Sequence, residues 1–207
     1  MATGVGPRWQ YPKKVIEIGV ETDSAVFSEA VQSLTLAEGR PELTLTQIAA
    51  PAKLAQHAVA FAADVADEHI SEHSDAGTGR FVLLHDDKPN EQWGSNYRIV
   101  AFAKSPLETL IGADEMISDV AWAWLMEALH NRGAKFSNEA GTTTRIISSG
   151  YGMLSNQSDH AELEMRLSWS PEGDFARHLE AWQDLICMMS GYPLLPAQVS
   201  PLRIRKH

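Results

Sequence analysis

The stretch His160 to Trp169, HAELEMRLSW, decides the fold. Ala161, Leu163, Met165, Leu167 and Trp169 fall on one side at period two, while Glu162, Glu164, Arg166 and Ser168 fall on the other. A strand divided this way has one face against a core and the other in water. That favours antiparallel pairing with helices on a single side over a parallel sheet buried on both faces.

Working outward, Asp174 caps a helix whose stripe is Phe175, Leu179, Trp182, Leu185, Ile186 and Met189, stopped by Gly191 and Pro193. Cys187 falls at the polar edge of that helix and reads as a plain reduced thiol. On the other side, 142–148 is a strand candidate. Before it, SDVAWAWLMEALHNRG (118–133) is an apolar helix with Ser118 as its cap and Gly133 as a left-handed stop. Its arc of Ala121, Trp122, Leu125, Met126, Ala128 and Leu129 covers more than half the cylinder, and Trp124 lies just beyond the edge. So wide an arc calls for a cover besides the sheet, a second helix or a partner chain, with Trp122, Trp124 and Met126 as interface candidates.

Further upstream, 80–84 and 97–102 are β-type runs joined by DDKPNEQWGSN, a hairpin with a turn-rich connector. The segment 71–79 is a polar loop. Residues 51–66, opened by Pro51 and rich in alanine, read as a third periodic helix. Leu43 and Leu45 alternate with Thr44 and Thr46 in a strand, and Ser24 opens a helix with Val26, Phe27, Ala30, Val31 and Leu34 on one stripe. Ile16, Ile18 and Val20 alternate in an arm that suits an edge strand equally well. The expectation is an α+β, two-layer fold: a mainly antiparallel sheet with helices on one face. Two ββα units, each ending in Ala-Trp on a helix, follow an N-terminal αβα segment. The chain reads as a single domain over 1–207, with an arm at 1–22, a core at 23–192 and a Pro-containing basic tail at 193–207.

The 207 residues, 44% hydrophobic and 21% charged, suit one globular domain. No apolar run reaches membrane-spanning length, and Gly and Pro interrupt the N-terminus where an export signal needs an apolar core. A cytoplasmic protein without a membrane partner is expected. A net charge of −10 disfavours nucleic acid.

Phosphate-cradling, dinucleotide, nucleophile-elbow and H-E-x-x-H spacings are absent, so no catalytic residue and no cofactor is expected. Two imidazoles four residues apart, His69 and His73, are the metal candidates. His85-Asp86-Asp87 at a strand end could orient a general base. With Trp93 and Arg145 these residues line an expected pocket between the 85–96 and 149–159 loops. Trp93 in its polar loop is a ligand platform or, more simply, a lid folded onto its own hairpin.

The phrases GRFVLLHDD, WGSNYRIVAF, DVAWAWLMEAL, GTTTR and HLEAWQDL, in this order, resemble an uncharacterised actinobacterial family, the domain of unknown function numbered three thousand in its series. The resemblance runs from about residue 26 to 193 and implies a short, cytoplasmic, single-domain protein with no known activity. The residues themselves point to a non-enzymatic interaction or regulatory protein, acidic and homo-oligomeric, acting through an apolar helix or sheet surface. The alternative is a small-ligand binder or enzyme.

Overall fold

The computed structural model describes residues 24–66, 77–156 and 159–194. Six strands are formed: β1 (Leu43–Ile48), β2 (His57–Val65), β3 (Thr78–Asn90), β4 (Ser95–Leu107), β5 (Lys135–Ser148) and β6 (His160–Glu172). They make one sheet in the order β1-β2-β3-β4-β6-β5, antiparallel at every pairing. The helices are α1 (Ala25–Thr35), the short α2 (Thr109–Ala113), α3 (Ile117–Asn131) and α4 (Phe175–Met189). The fold is therefore the α+β arrangement that β6 implies. Leu163, Met165, Leu167 and Trp169 are buried with α1, α3 and α4 in the main core, and Ala161 is buried beside Gly112 of α2.

The third helix expected over 51–66 is a correction. Residues 51–56 form a loop, and β2 pairs with β1 and β3 along its length. Val59, Phe61, Ala63 and Val65 face the main core, while Ala58 and Ala60 pack on the opposite face with Ile48, Ala55 and Trp93. A strand apolar on both faces loses the period-two signal, and its alanines then imitate a helix. The N-terminal segment is consequently α1-β1-β2 rather than αβα.

The two expected ββα units are present as β3-β4-α3, with α2 in the connection, and β5-β6-α4. Their inner strands β4 and β6, the second strand of each unit, pair antiparallel, so the halves meet through equivalent strands. The cap of α3 differs from expectation. Ser118 lies inside the helix, the cap residue is Met116, and Asp114 Oδ1 accepts from the Met116 amide at 2.9 Å. Gly133 does supply the left-handed stop, with φ 65.

The more deeply covered helix is α4, which packs on both α1 and α3 as well as on β3, β4 and β6. Its nominally polar residues His178, Gln183 and Asp184 are buried. Asp184 is clamped by two guanidinium groups, Arg40 Nη1 at 3.1 Å and Arg132 Nε at 2.6 Å. Arg40 also donates to Glu42 and to the Pro193 carbonyl. Burial pulls the Arg40 and Arg132 pKa values down, but their hydrogen bonds and the acidic groups around them win, and both end above the ordinary value. Cys187 is buried rather than at a polar edge. On α3, Trp122, Trp124 and Met126 are each only partly covered by the core.

Candidate functional site

Alternation along the strands leaves one sheet face without a helix. At its β1–β3 end that face is roofed, because Ala60, Val82 and Leu84 form a second small core with Ile48, Ala50, Ala55, Ala58 and Trp93. Trp93 is thus the lid on its own hairpin, and its carbonyl accepts from Ser170 Oγ and Asn138 Nδ2. Beyond the roof lies a shallow trough of about 730 Å³, floored by Val82, Val100, Phe102 and Ala140 and edged by Arg80, Arg166, Thr142 and Ser168. Val100 is 38% exposed. Arg80 and Arg166 reach their nearest carboxylates, Asp64 and Glu164, only at 3.9 and 3.8 Å, with the Arg166 side chain 74% exposed. Under the same face Arg98 is buried, donating to Ser168 Oγ, Ser170 Oγ and the Asn138 carbonyl, and desolvation pushes its pKa down. Arg80 Nη1 donates to the Gly79 carbonyl at 2.6 Å and to Thr78 Oγ1 at 3.2 Å, so the trough joins an apolar floor to cationic edges whose carboxylate pairing is long.

A second cavity, about 380 Å³, lies on the helical side and is lined by Val26, His85, Asp87, Ser95, Asn96 and Tyr97. His57 on β2 stands directly opposite His85 on β3, and Asp87 follows His85 on the same strand face. One donor atom from each of the three falls within 4.8 Å of the others, the only such His/Cys/Asp/Glu group among the described residues. Phe27 of α1 stacks on both imidazoles, with centroids 5.5 and 5.8 Å away. Burial, reinforced by His57, holds the His85 pKa below its ordinary value against the pull of Asp87 and Asp86. Burial, with Glu29, raises Tyr97.

The residues expected to share a pocket are thus distributed. His85 and Asp87 line the second cavity. Asp86 points to the other side, accepting from the Gln56 amide and Asn90 Nδ2. Trp93 roofs the open face. Arg145 donates to the Asp114 and Ala113 carbonyls beside α2. The 85–96 and 149–159 loops lie at opposite ends of β4, since His85 pairs with Tyr97 whereas Leu107 pairs with Ala161; a strand of that length separates them by roughly 40 Å. Neither of the two cavities described above is lined by a residue of the second loop. His69 and His73 lie outside the described residues. His57 escaped the sequence reading because its strand imitated a helix; the signal that could have found it is the H-x-D spacing of His85 and Asp87 beside a histidine on a neighbouring strand.

The architecture defines a class: an α+β protein whose described helices, three long and one short, pack on one sheet face while the opposite face is partly roofed, and in which no helix among the described residues is long and apolar enough to cross a membrane. Within that class the chain belongs to the family described as Protein of unknown function (DUF3000), which it matches over residues 23–200. No curated protein and no solved structure matches the chain.

Proposed function

We propose that this is a non-enzymatic interaction protein whose open sheet face receives an extended, acidic segment of a partner protein carrying apolar side chains. The observation that carries this reading is the trough: Val82, Val100 and Phe102 between two arginines whose carboxylate partners stand near 4 Å. An apolar floor offers area, the exposed Arg166 guanidinium can turn to a carboxylate in bidentate fashion, and Arg80, held through Nη1 by Gly79 and Thr78, adds a fixed positive charge. The test is isothermal titration with a peptide alternating Glu and Leu, beside a counterpart alternating Lys and Leu. Only the acidic peptide should bind, and Arg80→Glu with Arg166→Glu should weaken it by roughly tenfold or more. Equal binding of the lysine peptide, or indifference to charge reversal, ends the proposal.

A second reading, self-association, has its own support in the outer edge of β5. The uncharged run Ala140 to Thr144 is bracketed by Glu139 and Arg145. Antiparallel pairing of two copies centred on Thr142 places Glu139 of one protomer opposite Arg145 of its partner, with the half-covered Trp122 nearby. Light scattering on the wild type and on Thr142→Pro decides it: a dimer converted to monomer supports the pairing, and a wild-type monomer excludes it.

A further inference from the structure

We propose that His57, His85 and Asp87 form a binding site for a divalent transition-metal ion, on the helical side of the sheet and separate from the open-face trough. The backbone sets up the donor set: a cross-strand pair contributes two imidazoles, and the residue two places on contributes a carboxylate to the same face. The His57 Nε2 and Asp87 Oδ1 atoms stand 3.7 Å apart, close to the separation of neighbouring ligands around a tetrahedral ion.

His85 supplies an independent observation. It is 3% exposed, and its Nδ1 makes no hydrogen bond among the described residues. A buried polar nitrogen left without a partner is destabilising, so a histidine held there calls for a reason that packing alone does not give. Apolar packing could be served by a leucine; a nitrogen-donor site could not. The stacking of Phe27 on both rings fixes their planes in advance, as the neighbours of a metal site do.

Two nitrogens and one carboxylate oxygen select against Mg²⁺ and Ca²⁺, which take all-oxygen sets, and suit Zn²⁺ or Co²⁺. The Asp87 side chain is 59% exposed, and Asp87 and His85 both line the cavity with Ser95, Asn96 and Tyr97. The ion therefore keeps at least one position facing that cavity, open to water or a small anionic ligand.

The experiment is titration of the full chain, stripped by chelation, with Zn²⁺ and separately with Co²⁺. One ion per chain is expected, with a Co²⁺ ligand-field band and paramagnetic broadening centred on His57 and His85. Because removing His85 tests folding as much as binding, the decision rests on His57→Ala and Asp87→Asn. Each should weaken Zn²⁺ about 100-fold while circular dichroism and melting temperature in chelator stay at wild-type values. The His69→Ala/His73→Ala double variant should bind as the wild type does. Absence of stoichiometric binding, retention of it in both His57→Ala and Asp87→Asn, its loss in the His69/His73 variant, or equal competition by Mg²⁺ overturns the proposal.

Discussion

Trp182 occupies the space that a side chain at Gly79 would need: a Cβ built there comes within 2.7 Å of the indole Cζ2. Trp122 stands in the same relation to Gly141, with Cζ3 at 2.9 Å. Gly79 lies on β3 of the first ββα unit and is met by the helix of the second; Gly141 lies on β5 of the second and is met by the helix of the first. Their cross-strand partners, Ala103 and Leu167, each sit one residue from Phe102 and Arg166, which pair where the two halves join. The two units thus interlock by exchanging a tryptophan for a glycine gap.

Gly79→Ala should therefore destabilise by about 1–3 kcal/mol, because Ile186 and the Phe102 carbonyl also crowd the added methyl and the buried Trp182 cannot retreat. Its indole nitrogen is held by the Phe102 carbonyl at 3.1 Å. Gly39→Ala, with nothing within 4 Å, should stay within about 0.5 kcal/mol of wild type. Urea unfolding of the two variants reads the difference; equal midpoints would show that the gap is not filled as described.

The buried ion cluster on α4 gives a second contrast. Asp184 is the shared acceptor of Arg40 and Arg132, and removing it leaves Arg40 buried with only Glu42 opposite. Asp184→Asn should cost about 3–5 kcal/mol, since breaking a buried pair strands a charge. Glu164→Gln, across a 3.8 Å gap from an exposed arginine, should cost less than about 1 kcal/mol. A small loss at Asp184 would mean that water reaches the cluster.

How much of this was legible beforehand depended on whether an element had one wet face. β6 has one, and its alternation disclosed the antiparallel sheet and the side on which the helices lie. β2 lacks one over most of its length, because Ala50, Ala55 and Trp93 roof Ala58 and Ala60 on its second face, and its alanines then carry a helical period. That period hid His57 and with it the cluster around His85. The second cover that the wide arc of α3 calls for is α4, which packs on it while β5 meets it from the sheet. The apolar stripe of α4 is legible in its residues, whereas the burial of Asp184 rests on Arg40, from the segment between α1 and β1, and on Arg132, the C-terminal cap of α3, pairing with it. His85 and Asp87 were singled out by residue type, but Trp93 and Arg145 were joined to them only by a loop proximity that the strand register rules out.

His178 makes stability depend on pH in a defined window. Trp169 Nε1 donates to His178 Nδ1 at 3.0 Å, so the neutral ring is an acceptor there, and a proton on that nitrogen would face another donor. Among the described residues Nε2 makes no hydrogen bond of ordinary geometry, and burial, outweighing Asp174 and the Glu172 backbone, lowers the pKa to about 4. Below the ordinary value near 6.5 the unfolded chain takes up a proton that the folded chain refuses. Stability from this residue is complete above about pH 6.5 and is lost as pH falls toward 4, by roughly 3 kcal/mol in all. His178→Gln, which keeps an acceptor without the titration, should flatten the unfolding free energy between about pH 6.5 and 5, above the range where ordinary carboxylates titrate. An unchanged slope would place the proton elsewhere.

Cys187 tests the burial of α4 from a different side. Desolvation, with Glu42 and Asp184 adding to it, pushes the thiol up to about 12 against the opposing charge of Arg40. The thiolate is the reactive species, so at neutral pH almost none is present, and the sulfur is also fully covered. A disulfide reagent added to the native protein should label it no faster than the chain opens, and in denaturant it should react completely. Asp184→Asn loosens the contacts around this part of α4, and labelling should accelerate in step with the stability it loses, because the open population grows about tenfold for every 1.4 kcal/mol. Rapid labelling of the wild-type protein would show that α4 is not enclosed between α1, α3 and the sheet.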